Sequence, residues 1–222
     1  MNRNTQAILV ALLLAVPGLG NAEVVFSNLG TPPVYNTNIG NYSGNGLDGT
    51  TTYATADTFT PTVTTTFSTL DIALSCDVTT TCPDSFSVIL SSDIGNGGDS
   101  PGTVLESFSV AGTSLGPLGS NNALTVLTSV SQPTLTSGLQ YWISVTAPGR
   151  DSVVWNWNNN NDMSDQDVST DSGATWTTFD ANPGAYAVNG TPSMATVPEP
   201  GTAALLGLGG LVVVLRRKFR AG

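Results

Sequence analysis

Apolar side chains alternate with polar ones along the middle of this chain, and no segment there has the spacing of an amphipathic helix. Leu70, Ile72 and Leu74 share one face of an extended run, whereas Thr69 and Asp71 lie on the other face. A period of two is typical of β-strands that bury one side. The sequence therefore predicts an all-β domain built from short, half-buried strands.

Clusters of Gly, Pro, Asn, Asp and Ser separate the strand candidates, and one of these clusters, 94–102, is predicted to be a turn. The candidates cover 24–28, 54–60, 69–74, 85–90, 103–111, 123–129, 139–146, 152–158, 174–180 and 184–190. Thr and Ser fill the polar positions, which keeps exposed faces soluble without charge. This pattern predicts a jelly-roll-like antiparallel β-sandwich over 23–192, with a closed barrel as the alternative.

The beginning of the chain has the order of a secretory signal peptide. Arg3 precedes an apolar run at 7–16, a Pro17-Gly18 break and small or polar residues at 20–22. This order predicts a signal peptide at 1–22, so we expect the mature chain to begin near Glu23. An uncleaved N-terminal anchor is the alternative, although it would need a longer apolar run.

A second targeting pattern follows a linker at 193–200. Pro198, Glu199 and Pro200 precede an uncharged apolar stretch at 201–215 and a basic tail at 216–222. As a helix, the stretch would reach about 22 Å, short of the roughly 30 Å hydrocarbon core, so it predicts a weak, temporary transmembrane segment. The tail is predicted to stay in the cytoplasm. Its basic residues are Arg216, Arg217, Lys218 and Arg220.

This order of tripeptide, apolar span and basic tail closely resembles the PEP-CTERM sorting signal. The resemblance implies that an exosortase, a membrane-embedded processing enzyme of Gram-negative bacteria that secrete exopolysaccharide, reads Pro198, Glu199 and Pro200. It also implies export by the secretion machinery, transient anchoring in the inner membrane, and a final place at the cell surface or in the extracellular matrix. An ordinary single-pass tail anchor is the alternative.

The predicted exported segment is strongly acidic. Between residues 23 and 197 one positive charge, on Arg150, stands against fifteen carboxylates, which gives a net charge of −14. Nucleic acid and anionic membranes are poor partners for such a surface, because both need basic groups to neutralise phosphates. The segment also has no His and no Lys, so nucleophiles activated by either residue are excluded.

Cys76 and Cys82 bracket five residues between two strand candidates. In an oxidising compartment two cysteines this close in sequence are predicted to form a disulfide. A zinc site is the alternative, but it would need four ligands, and the chain has neither a third Cys nor any His.

The succession of strand motifs resembles the bacterial modules called choice-of-anchor domains, in particular the one designated R. The matching segments lie at 56–61, 70–74, 85–88, 101–107, 141–143, 155–157 and 185–188. The resemblance implies an extracellular β domain that is attached by one of several alternative C-terminal anchors and has no assigned activity.

A segment at 169–176 has the pattern Ser-x-Asp-x-Gly-x-Thr-Trp, formed by Ser169, Asp171, Gly173, Thr175 and Trp176. It resembles the Asp-box of sialidase-like propellers, which is a hairpin turn. That implies an Asp that accepts hydrogen bonds from its own turn, a Gly with positive φ, and a Trp packed beneath the returning strand. A sialidase is not expected, because the motif occurs once rather than once per blade.

Two sets of residues are candidates for binding. Trp142, Trp155 and Trp157 could form an aromatic platform for sugar rings, although alternation with Val153 favours a core position for at least Trp155. A stretch rich in Asn leads into Asp162, Asp165 and Asp167, and such oxygen-rich loops are typical of calcium sites. The stretch lacks the EF-hand spacing, and a solvated acidic loop is the alternative.

Taken together, these patterns predict an exported, non-enzymatic protein of the cell surface or extracellular matrix, structural or associated with exopolysaccharide and biofilm. Calcium is the one candidate cofactor. A carbohydrate-binding module is the alternative function. A glycoside hydrolase that uses Glu106 and a second carboxylate is less favoured, since Glu106 is expected at a strand edge beside a turn.

Overall fold

A computed structural model describes residues 22–32, 34–45, 51–77, 82, 84–95, 98–147, 153–178 and 182–193. The chain divides into two compact units, 1–192 and 193–222. The predicted signal peptide up to residue 21, and the predicted sorting motif, span and basic tail, lie outside the described residues.

The described residues form fourteen strands and one short 3-10 helix, Gly112–Ser114. The strands in chain order are β1 (Glu23–Ser27), β2 (Gly40–Asn45), β3 (Thr52–Phe59), β4 (Thr65–Ile72), β5 (Leu74–Cys76), β6 (Ser85–Gly95), β7 (Gly98–Ala111), β8 (Thr125–Thr128), β9 (Thr134–Leu135), β10 (Tyr141–Thr146), β11 (Val153–Asn156), β12 (Gln166–Ser169), β13 (Thr177–Thr178) and β14 (Tyr186–Pro192).

These strands form two sheets in which the named strands pair in antiparallel fashion. The smaller sheet has the order β1-β14-β4-β8, with β9 also paired to β4. The larger sheet has the order β5-β11-β2-β3-β10-β6-β7, with β12 paired to β3 and β13 paired to β12. One of the two sheets forms a half-barrel. The prediction of an all-β antiparallel fold is confirmed.

One hydrophobic core lies between the two sheets. The smaller sheet contributes Phe67, Leu70 and Ile72, and the larger sheet contributes Val88 and Ile143, all of them fully buried. Burying side chains of this size stabilises the fold by about 1.5–3 kcal/mol each. The alternation seen in the sequence therefore marks the core-facing side of these strands.

Strand β3 is a branch point of the larger sheet. Along one edge it pairs with β10 from Ala54 to Phe59. Along the other edge it pairs first with β2, at Thr52 and Tyr53, and then with β12, from Ala54 to Asp57. The sheet forks here, so β12 and the segment before it lie against the middle of β3.

The hairpin of β6 and β7 is longer than the sequence predicts. Residues 94, 95 and 98–102, which fall in a cluster of turn-forming residues, belong to these two strands instead. Three register shifts between Leu90 and Gly95 bend the hairpin, as β-bulges do. Near the bend, the Trp142 indole N–H donates a hydrogen bond of 3.0 Å to Asp93 Oδ1.

Three strands were not predicted, and several candidates are longer than the strands observed, among them 123–129, 139–146 and 174–180. β2, β9 and β12 are absent from the candidates, because β2 is rich in Gly and Asn, β9 has two residues, and β12 falls in the stretch assigned to a calcium loop. The candidate at 174–180 is a strand only at Thr177–Thr178 among the residues described there.

Candidate functional site

The Ser-x-Asp-x-Gly-x-Thr-Trp segment forms the turn between β12 and β13. Asp171 Oδ1 accepts hydrogen bonds from the Thr175 N–H at 2.8 Å and from the Ser169 hydroxyl at 2.7 Å. Asp171 Oδ2 accepts the Thr175 hydroxyl at 2.7 Å. The Thr175 backbone bond, followed by the two hydroxyl bonds, lowers the pKa of Asp171 to about 2. The carboxylate therefore organises its own turn.

Gly173 and Trp176 complete this turn. Gly173 has φ +89°, and its N–H donates to Ser169 Oγ at 2.7 Å. Trp176 is half-buried, and a Cβ added at Gly173 would lie 3.3 Å from the Trp176 ring. The Trp ring thus lies against the glycine, and the arrangement is that of a folded hairpin.

Replacing Asp171 with Ala should lower the thermal midpoint by several degrees at pH 7, because two hydroxyls and one amide lose their acceptor. The folded-state pKa is depressed, so this stabilisation is present above the unfolded pKa of about 3.9 and is lost as pH falls toward about 2. Thermal denaturation from pH 2 to 7 measures the effect. Thr170→Ala, at an exposed position of the same turn, is the control, and an Asp171→Ala protein that melts like wild type would contradict the assigned role.

The structure separates the three Trp residues of the predicted sugar platform. Trp142 and Trp155 are 0% exposed, so neither can stack on a sugar at the surface. The Trp155 indole N–H donates to the Ala185 carbonyl at 3.2 Å inside the core. Trp157 is half-buried and donates to Asn41 Oδ1 at 2.8 Å. The predicted platform is therefore wrong for Trp142, which is buried, whereas Trp155 lies in the core as its alternation with Val153 favours.

Cys76 and Cys82 form a disulfide, with Cα atoms 5.7 Å apart. Both residues are buried, and a Cβ added at Gly112 would lie 2.7 Å from Cys82 Cβ. The predicted disulfide is confirmed, and it joins the end of β5 to the residues before β6.

The three acids of the predicted calcium loop do not converge. Asp165 is exposed and Asp162 is half-buried, whereas Asp167 is fully buried within β12. The described residues contain no group of three or more His, Cys, Asp or Glu side chains that could hold a metal ion. The predicted triad is therefore wrong, because Asp165 is exposed to solvent whereas Asp167 is buried within β12.

Asp167 has its own acidic surroundings. Burial raises the pKa of this carboxyl, the hydroxyls of Ser100 and Thr178 oppose the shift, and the carboxylates of Asp99 and Asp165 add to it. Ser100 belongs to the β6–β7 hairpin, which therefore lies near the outer face of β12.

A buried polar cluster that the sequence analysis did not identify lies on the core-facing side of β3. Asp57 is 0% exposed, and its Oδ2 accepts the Gly184 N–H at 2.6 Å. Strand pairing places Asp57 directly opposite Gln166, which is 1% exposed. Burial raises the pKa of Asp57 well above its usual value, the Gly184 amide and the Gln166 side chain oppose the shift, and Asp162 adds to it.

One signal for Asp57 is present in the sequence. Asp57 shares one face of the predicted strand with Thr55 and Phe59, and the large apolar ring of Phe59 marks that face as the one turned toward the core. An acid at such a position is rare unless it has a partner.

Glu106 lies on β7, the edge strand of the larger sheet, but its side chain is only 6% exposed. Its Oε2 accepts the Ser129 hydroxyl at 2.5 Å, and its Oε1 accepts the N–H groups of Val130 at 2.6 Å and Ser131 at 3.0 Å. Burial alone would raise the pKa of Glu106, but these three hydrogen bonds together hold it below its usual value. Both oxygens therefore anchor the loop after β8.

A pocket of about 310 Å³ lies between the end of the 3-10 helix and the start of β8. Residues 114–116, 122–125 and Leu74 line it, and none of them is acidic. This pocket consequently does not contain the carboxylate pair that a glycoside hydrolase needs.

Within the ranges given above, the structure contains no helix of sufficient length and apolar character to span a membrane. The predicted span at 201–215 lies outside those ranges.

Comparison with known proteins finds a match to a family model over a short part of the chain. The model of the PEP-CTERM protein-sorting motif matches residues 196–218, which include Pro198, Glu199 and Pro200, the apolar stretch and the first basic residues. This motif supports the conclusion that the protein is exported, is anchored in the membrane before cleavage, and is processed by an exosortase. No curated protein and no solved structure matches the chain.

Proposed function

We propose that this exosortase substrate is a non-enzymatic structural protein of the cell surface or of the extracellular polysaccharide matrix. The observation that carries the proposal is the sorting motif at 196–218. The exosortase, the secretion machinery and the inner membrane are its transient partners, and exopolysaccharide is its lasting one.

The exported segment has the properties that such a role requires. Its strands expose hydroxyl groups, for example Ser107 and Ser109 on the edge strand β7. Its net charge of −14 between residues 23 and 197 favours solubility among polysaccharides and divalent cations. We further propose that the segment is a choice-of-anchor R-like module, since the matching motifs at 56–61, 70–74 and 85–88 overlap β3, the β4–β5 junction and β6.

The chemistry of the chain favours a role without catalysis. A His-activated nucleophile is excluded, because the chain has no His. Glu106, the candidate acid for glycoside hydrolysis, uses both of its oxygens to hold a loop.

Replacing Glu199 with Ala is expected to leave full-length precursor in the inner membrane, because the change removes the charged residue of the Pro-Glu-Pro tripeptide. Immunoblots of the inner-membrane and released fractions measure the ratio of precursor to product. Ser193→Ala, at an exposed position just before the motif, should be processed normally. Cleavage and release of the Glu199→Ala protein at the wild-type level would contradict the proposal.

The carbohydrate-binding alternative depends on Trp157, because Trp142 and Trp155 are buried. Co-sedimentation of the released protein with exopolysaccharide from the same cells distinguishes the two roles. We expect Trp157→Ala to co-sediment within about twofold of wild type, a difference of less than ~0.5 kcal/mol in binding free energy. A loss of tenfold or more would favour the carbohydrate-binding module.

A further inference from the structure

In the segment that leads into β12, exposed residues alternate with more buried ones. Asn161, Met163 and Asp165 are exposed, and Met163 is 62% exposed. Asp162 and Ser164 are half-buried, and Gln166 is 1% exposed. The more buried residues, Asp162, Ser164 and Gln166, thus form one row along this segment.

Hydrogen bonds hold this row beside Asp57. The Asn158 side-chain amide donates to the carbonyls of Asp162 at 3.0 Å and Pro183 at 3.1 Å. The next residue, Gly184, donates its N–H to Asp57 Oδ2. At the other end of the row, Gln166 lies opposite Asp57 in the β3–β12 register. Asp57 therefore has Gln166 opposite it and lies within electrostatic range of Asp162.

Several polar atoms at this place have no hydrogen-bond partner. They are Asp57 Oδ1, Ser164 Oγ and both amide atoms of Gln166, and each is buried. The Gln166 amide lies beside the Asp57 carboxyl without forming a hydrogen bond of good geometry. Buried polar groups in folded proteins nearly always have a partner, so a cluster of unpartnered atoms points to a ligand.

The composition of the cluster specifies the class of ligand. Two carboxylates supply a charge that a divalent cation would neutralise, and a hydroxyl and an amide carbonyl supply neutral oxygens. Calcium accepts six to eight oxygen ligands of this mixed kind in flexible geometry, whereas magnesium requires near-octahedral geometry and retains water. We propose that Asp57, Asp162, Ser164 and Gln166 bind a calcium ion that links β3 to the segment before β12.

This site differs from the acid triad expected from the sequence. It retains Asp162, but its other ligands are Asp57, Ser164 and Gln166 rather than Asp165 and Asp167. It is also independent of the sorting function, because none of its residues belongs to the motif at 196–218.

Thermal denaturation of the full chain, purified in mild detergent and stripped of metal with a chelator, tests the site. Calcium at about 1 mM should raise the thermal midpoint by about 5 °C or more, because it binds the folded state only. Intrinsic fluorescence provides a second readout, since the Trp155 and Tyr186 rings are 5.4 Å apart and Tyr186 is coupled electrostatically to Asp57 and Asp162.

Two variants at neighbouring positions make the test specific. Asp162→Asn should abolish the calcium response, whereas Asp165→Asn, whose side chain is exposed, should respond like wild type. Asp57→Asn, a neutral isostere, should also lose the response. A wild-type midpoint that is insensitive to calcium, an Asp162→Asn protein that responds like wild type, or an equal response to magnesium would overturn the proposal.

Discussion

Asp57→Asn is expected to stabilise the calcium-free protein, by an amount that grows as pH rises above about 4. The folded-state pKa of Asp57 is raised, so the stability contributed by its protonated form is complete below the unfolded pKa and is lost as pH rises through the folded pKa. Over that window the wild type loses up to about 1.4 kcal/mol per pH unit from this group. An uncharged Asn avoids the loss and can still accept the Gly184 N–H.

Urea denaturation of Asp57→Asn and wild type from pH 4 to 8 measures this effect. The difference between their unfolding free energies gives the contribution of the Asp57 carboxyl alone. The difference between variant and wild type is needed because other carboxyls also make the unfolding free energy depend on pH. The raised pKa of Asp167 changes stability in the same direction as that of Asp57, whereas the lowered pKa values of Asp171 and Glu106 change it in the opposite direction. Ser109→Ala, at an exposed position without an ionisable group, is the control. An Asp57→Asn protein that is less stable than wild type at pH 7 without calcium would contradict this account.

Gly184→Ala should destabilise the protein by at least about 3 kcal/mol, at the upper end of the usual cost of overpacking. A Cβ at this position would lie 2.3 Å from three atoms of the Trp155 ring, which is fully buried. The backbone cannot easily move away. The Gly184 N–H is bonded to Asp57 at 2.6 Å, and its carbonyl accepts the Asn28 side-chain amide at 2.8 Å.

Urea denaturation of three variants tests this explanation. Gly138→Ala is the comparison, because Gly138 has φ +77° with nothing within 4 Å of an added Cβ, so only backbone strain of roughly 1–2 kcal/mol is expected. Trp155→Phe removes part of the ring that the Ala methyl would meet, so the double variant should lose less than the sum of the two single changes. Strictly additive losses would contradict a clash between residues 184 and 155.

The periodicity of the sequence predicts the strands that form the core, because alternation is sufficient wherever one face is buried. Phe86, Val88 and Leu90 are all buried as their spacing indicates. The same periodicity does not predict β2 and β12. Each becomes a strand by pairing with a distant partner, β2 with β11 and β12 with β3, and their own composition favours turns.

The two candidate sites differ in the same way, because one is formed by residues close in sequence and the other by residues far apart. The turn at 169–176 depends on contacts within eight residues, so the local pattern describes it well. The cluster of Asp57, Asp162 and Gln166 depends instead on pairing between strands more than 100 residues apart. Charge alone suggests Asp165 and Asp167 as calcium ligands, but both side chains point away from that cluster.

The position of β14 determines when the domain can assemble. This strand lies between β1 and β4 in the smaller sheet, pairing residues 187–190 with β1 and residues 186–192 with β4. A chain that has emerged only as far as residue 185 has no partner for β1 and an open edge on β4. Such long-range pairing slows folding. The smaller sheet is therefore complete only after residue 192 is available, four residues before the sorting motif begins, and until then β1 and one edge of β4 stay unpaired.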